Sequence, residues 1–114
     1  ISVGIPRNPL KAQNAIAKSN GVWIAVSDEE ILKSMAKLGR IEGIFGEPAG
    51  VTALAGIEKA IAQGIIKPNE TVTMIMTGNG LKDPVNAQKA ISPPVILKPD
   101  IEILNRYLKE KGVK

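Results

Sequence analysis

The sequence predicts an α/β fold, three layers in which helices cover a mostly parallel sheet, and three observations carry that expectation. Two continuous apolar runs, Val22-Trp23-Ile24-Ala25-Val26 and Thr71-Val72-Thr73-Met74-Ile75-Met76-Thr77, are rich in β-formers and read as strands covered on both faces. Segments of helical periodicity alternate with them, and that alternation favours a parallel sheet. The composition is 44% hydrophobic, yet Trp23, Phe45 and Tyr107 are the only aromatics, so the core is expected from Ile, Leu, Val, Ala and Met. A chain of 114 residues fits one domain, but it is short for an enzyme that must enclose a ligand by itself.

Asn8-Pro9 reads as an N-cap and the first position of a helix, with Leu10, Ile16 and Ala17 apolar behind it and Asn20-Gly21 as the stop. After the first apolar run, Ser27-Asp28-Glu29-Glu30 forms a capping box that opens a second helix. Its buried stripe is Ile31, Leu32, Met35 and Leu38, and Gly39 and Gly43 loosen its C-terminal end. Glu47-Pro48 opens a third helix, because proline in the first turn sacrifices no hydrogen bond; Val51, Leu54, Ile57 and Ile61 make its apolar face and Gly64 ends it. Lys67-Pro68-Asn69 is a turn before the second apolar run, which delivers the chain into Gly78-Asn79-Gly80. Between Lys82 and Pro94 the turn chemistry of Asp83-Pro84 and Ser92-Pro93-Pro94 predicts no firm element. A terminal helix near 100–111 is expected behind Pro99-Asp100, with Ile101, Leu104, Tyr107 and Leu108 apolar and Gly112 as the stop.

The absence of cysteine and histidine removes disulfides, thiol nucleophiles, the usual metal ligands and the commonest general base. Hydrolytic triads and zinc sites are therefore not expected. No apolar run approaches the roughly 20 residues of a membrane span, and no signal peptide is seen, so a soluble, cytoplasmic protein without a membrane partner is expected. The formal charge of +4 is spread along the chain; Lys98, Lys109, Lys111 and Lys114 suit a helix C-terminus better than a nucleic-acid face with interleaved aromatics. The start at Ile1, with no initiator Met and no cap, reads as a cut in a longer chain.

Ligands of open parallel sheets bind beyond the C-terminal strand ends, where Thr77 is expected to lie. Its hydroxyl can donate or accept, and the glycines after it let a ligand ring approach the backbone. Read alone, Thr77-Gly78-Asn79-Gly80 favours a plain strand-end turn, and it is neither a Walker loop nor a GxGxxG fingerprint. Glu47, just before a helix N-terminus, serves equally as a dipole partner and as a carboxylate presented to a ligand.

Together the segments carry more. Glu42-Gly43-Ile44-Phe45-Gly46-Glu47-Pro48-Ala49-Gly50, then Ala53-Leu54-Ala55-Gly56, then Thr77-Gly78-Asn79-Gly80-Leu81-Lys82-Asp83-Pro84 resemble the C-terminal third of the threonine synthases. Val3-Gly4-Ile5-Pro6-Arg7-Asn8-Pro9 and Val26-Ser27-Asp28-Glu29-Glu30-Ile31 extend the resemblance upstream, over 1–84, while 85–114 forms a tail without a family-diagnostic motif. The resemblance implies the C-terminal part of the large domain of a fold type II enzyme that uses pyridoxal 5'-phosphate. These are lyases of amino-acid biosynthesis that convert O-phosphohomoserine and water to threonine and phosphate.

It further implies that Thr77 hydrogen-bonds the pyridine nitrogen of the cofactor, that Gly78, Asn79 and Glu47 line the same pocket, and that Arg7 and Asn8 lie toward the substrate. Beside a neutral hydroxyl the ring nitrogen stays unprotonated, which weakens the cofactor as an electron sink. Asn79 stands where the family often has histidine and cannot change charge near neutral pH. The family's Schiff-base lysine motif and its glycine-rich phosphate loop have no counterpart here, and Lys82 does not match that motif. The chain alone is therefore expected to be catalytically incomplete, with the remainder of the parent chain as partner and with self-association through exposed apolar surface. A dehydratase of the same fold and a non-enzymatic α/β binding module are the alternatives.

Overall fold

The computed structural model describes residues 3–113, so Ile1 and Lys114, and what the sequence suggests of them, lie outside the described residues. Among the described residues five α-helices run in order: α1 Pro9–Ser19, α2 Asp28–Glu42, α3 Pro48–Ala62, α4 Pro84–Lys89 and α5 Ile101–Glu110, with a 3-10 turn at Gly80–Lys82 before α4.

The expected parallel sheet is overturned. Among the described residues the β pairing is a single antiparallel bridge between Gly46 and Asn79. Residues 22–26 and 71–77 are neither helical nor paired. Their composition favours extended backbone, but a strand also needs a neighbour about 4.8 Å away to share its ladder, and here each run is flanked by helices. Burial along them has period two: Ile24, Val26, Met74 and Met76 are half-buried, whereas Trp23 and Ile75 stay exposed. One face packs on the helices and the other lies open, which a continuous apolar run does not distinguish from burial on both faces.

The core is the α2–α3 pair. Ile31, Met35 and Leu38 of α2 meet Val51 and Ala55 of α3, α4 adds Ala87, and the half-buried Val26 and Met76 pack against the cluster. The α2 stripe is as expected, with Ser34 buried beside it. The α3 face is rotated from expectation: Val51, Ala55 and Ala60 are buried, while Ile61 is exposed. Small side chains let the two helices approach closely, so alanine rather than the larger Ile faces the neighbour.

Polar groups pin this pair. The Ser34 hydroxyl and the Lys37 ammonium both donate to the Glu58 carboxylate, each at 2.5 Å. The Ser27 box forms as expected, with the Glu30 N–H donating to the Ser27 hydroxyl at 3.2 Å and the Ser27 N–H donating to Glu30 at 2.6 Å. Helix α1 begins at Pro9 and ends on Asn20 in the left-handed region, and α5 begins behind Asp100; neither buries any residue.

Candidate functional site

The bridge between Gly46 and Asn79 builds the site. The Glu47 N–H donates to the Gly78 carbonyl and the Gly80 N–H donates to the Phe45 carbonyl, both at 2.9 Å. These two bonds lay the connector before α3 against the turn after residues 71–77. The turn side packs tightly: a Cβ at Gly78 would overlap the Glu47 carboxylate, and one at Gly80 would overlap the Phe45 ring. The connector and the turn can meet because neither position carries a side chain.

Glu47 is the centre of the arrangement. Its backbone opens α3, with Pro48 in the first helical turn, but its side chain makes no capping hydrogen bond. Instead the carboxylate turns toward the glycine turn and is 13% exposed. The Thr77 hydroxyl donates to its Oε1 at 3.4 Å, and the Lys82 Nζ stands 3.6 Å from its Oε2. Glu47 therefore opens α3 with its backbone alone, and its carboxylate packs on the glycine turn.

The expected residues Glu47, Thr77, Gly78 and Asn79 thus come together, with Thr77 and Asn79 exposed. The Asn79 carboxamide oxygen accepts from the Leu81 N–H at 2.9 Å and so caps the 3-10 turn. Arg7 and Asn8 are exposed ahead of α1, and among the described residues no side-chain hydrogen bond or ion pair joins them to this cluster. Lys82 is the residue that sequence reasoning missed, since only the 3-10 turn folds it back onto a carboxylate far earlier in the chain. Next to it, Asp83 accepts from the Asn86 side chain and backbone, which hold its carboxyl below the ordinary carboxylate range.

An open groove of about 810 Å³ lies between α2 and α4, with Met35, Arg40, Phe45, Ala87 and Ile91 among its walls. Neither Thr77 nor Glu47 lines it. What the cluster offers chemically is a wall at the glycine turn on which one carboxylate stands between one hydroxyl and one ammonium.

Comparison with known proteins places the chain in a family. Residues 1–78 match the model of the pyridoxal-phosphate dependent enzymes. The chain is 44% identical to the threonine synthase of Methanocaldococcus jannaschii over 96% of its own length and 27% of that protein. It is 42% identical to the threonine synthase of Halalkalibacterium halodurans, over 96% of this chain and 31% of that one. Against the threonine synthase of Mycobacterium tuberculosis the identity is 43%, over 82% of this chain and 27% of that one. The chain spans between a quarter and a third of the length of these relatives. In the first two, 110 of its 114 residues align, so the similarity continues through most of the tail beyond Pro84.

Proposed function

Because this chain belongs to the pyridoxal-phosphate dependent enzyme family, we propose that it is the C-terminal, cofactor-facing part of a cytoplasmic threonine synthase, a lyase of threonine biosynthesis acting on O-phosphohomoserine. The observation that supports this best is that identity above 40% to the first two relatives extends over 96% of the chain, including both halves of the Glu47–Thr77 cluster.

The donor set suits one edge of the cofactor. Thr77 presents an exposed hydroxyl beside the glycine turn, which fits an aromatic ring nitrogen. The same wall does not suit the cofactor's phosphate, because Pro48 at the start of α3 offers no N–H and the neighbouring Glu47 carboxylate repels an anion. Pyridoxal phosphate, when bound, supplies the electron sink that stabilises negative charge on the substrate carbon skeleton. This chain's residues bind and orient: the Thr77 hydroxyl donates a hydrogen bond to the ring nitrogen, Gly78 and Gly80 let the connector before α3 pack on the turn, and Asn79 fixes that turn. Without the cofactor, Glu47 accepts from the Thr77 hydroxyl and holds that side chain in place. The lysine that links the cofactor and the phosphate loop belong to the remainder of the parent chain in this reading.

The test is product analysis with the full-length protein. O-phosphohomoserine is expected to yield threonine and inorganic phosphate in equal amounts. Formation of 2-oxobutanoate from threonine, without phosphate release from O-phosphohomoserine, would replace the synthase with a dehydratase.

A further inference from the structure

Thr77 has one hydroxyl proton, and in the site proposed above two acceptors claim it: Glu47 Oε1 and a ring nitrogen at the wall. The bond to Glu47 is 3.4 Å long, at the weak end of hydrogen-bond geometry, so the proton is readily redirected. Redirecting it leaves a problem. The Glu47 carboxylate is only 13% exposed, so water cannot fully replace the lost donor, and Thr77 then turns a lone pair toward Oε1.

Lys82 is placed to solve this. Its Nζ is 3.6 Å from Oε2, inside ion-pair range but short of a hydrogen bond, and its side chain is 66% exposed and free to close the gap. Lys82 closes the 3-10 turn that follows Thr77 by three residues, so the cation and the hydroxyl reach the same carboxylate from one short stretch of chain. No other cation is paired with Glu47 among the described residues.

We propose that Lys82 is a positioning residue: by closing on Glu47 it compensates the carboxylate and releases the Thr77 proton to the ring nitrogen of the bound cofactor. This rests on the reading of the wall as a pyridoxal phosphate site. The exchange moves a hydrogen bond and leaves every proton on its own oxygen or nitrogen. It also assigns Glu47 two states, one holding Thr77 and one holding Lys82.

The experiment is a titration of the full-length protein with pyridoxal phosphate, monitored by absorbance and by the emission maximum of the bound cofactor. K82M, K82R and K82Q are compared, and K82M is repeated in an E47Q background. K82M and K82Q are expected to weaken binding about tenfold, the size of one lost charge-assisted hydrogen bond, and to shift the emission maximum. K82R, which keeps the charge, is expected to stay within about twofold of the unmutated protein. Once Glu47 is neutral, K82M is expected to change binding by less than about twofold, because Lys82 acts only through the carboxylate. An equal loss in both backgrounds, or no loss in either, overturns the inference while leaving the cofactor reading intact. Failure of the unmutated protein to bind pyridoxal phosphate overturns both.

Discussion

The hydrogen atoms at Gly78 and Gly80 leave room for two different neighbours, and the difference decides what substitution does. At Gly78 the neighbour is the mobile end of Glu47, so G78A is expected to cost less than about 1 kcal/mol, the range of a tolerated surface change. Its effect appears in the site, where displacing the carboxylate separates it from Thr77 and Lys82 and weakens pyridoxal phosphate binding. At Gly80, itself buried, the neighbour is the Phe45 ring, which must swing off the turn as one rigid body, so G80A is expected to destabilise by about 1–3 kcal/mol. Thermal unfolding paired with cofactor titration separates the two; a G80A protein as stable as the unmutated one would contradict the packing described. At this scale much of the site is legible in sequence. Thr77, Gly78, Asn79 and Glu47 stand out as a strand-end turn and a helix-start carboxylate, and the structure brings them into one cluster. Lys82 does not, because its relation to Glu47 depends on how the turn after Asn79 folds back.

Helices α2 and α3 hold the core, and their contacts give predictions of a different kind. Val51 is fully buried between them, so V51A is expected to cost about 2 kcal/mol from lost methyl burial and the cavity left behind. S34A removes a buried donor to Glu58 and is expected to cost about 1 kcal/mol in the same assay. Glu58 also sets a pH dependence. The Lys37 ammonium first, and the Ser34 hydroxyl second, hold its carboxyl below the ordinary 4.5. Because the folded-state value is the lower one, this stabilisation is complete above about 4.5 and is lost as pH falls through the lowered value. Helical circular dichroism is therefore expected to show a melting temperature that falls below pH 4.5 less steeply in E58Q than in the unmutated chain. A parallel fall in both proteins would show that Glu58 does not set it.

Local signals name four of the five helices, through Asn8-Pro9, the Ser27 capping box, Glu47-Pro48 and Pro99-Asp100. The short helix α4 escapes them because Asp83-Pro84 also has the chemistry of a turn, although it is the same cap-and-proline pattern as Asn8-Pro9. The Asp83 carboxylate accepts from the Asn86 N–H at 3.2 Å, which is how the pattern starts a helix.

At the scale of the whole molecule the described chain is long and thin. Its extents are 63 × 35 × 18 Å and its radius of gyration is 18.9 Å, against about 13 Å for a compact domain of this length. Its accessible surface is 9469 Å², where a compact monomer of this mass shows about 6,000 Å². Trp23, Ile75 and Ile96 are among the exposed apolar side chains, so the isolated chain is expected to self-associate. Sedimentation velocity across a concentration series checks this, and a clean monomer at high concentration would contradict it. The same open surface explains why the sheet expectation failed: apolar runs announce that something covers them, and periodicity alone does not say that the cover is another strand of the same chain.

Whether the Thr77–Glu47 wall meets the ring edge of pyridoxal phosphate is decided by a structure of the full-length protein loaded with that cofactor. The Thr77 hydroxyl is expected about 2.7–3.2 Å from the ring nitrogen, with Glu47 closed onto Lys82. A ring nitrogen beyond about 4 Å from Thr77, or a cofactor seated on another surface of the chain, would contradict the assignment of this wall.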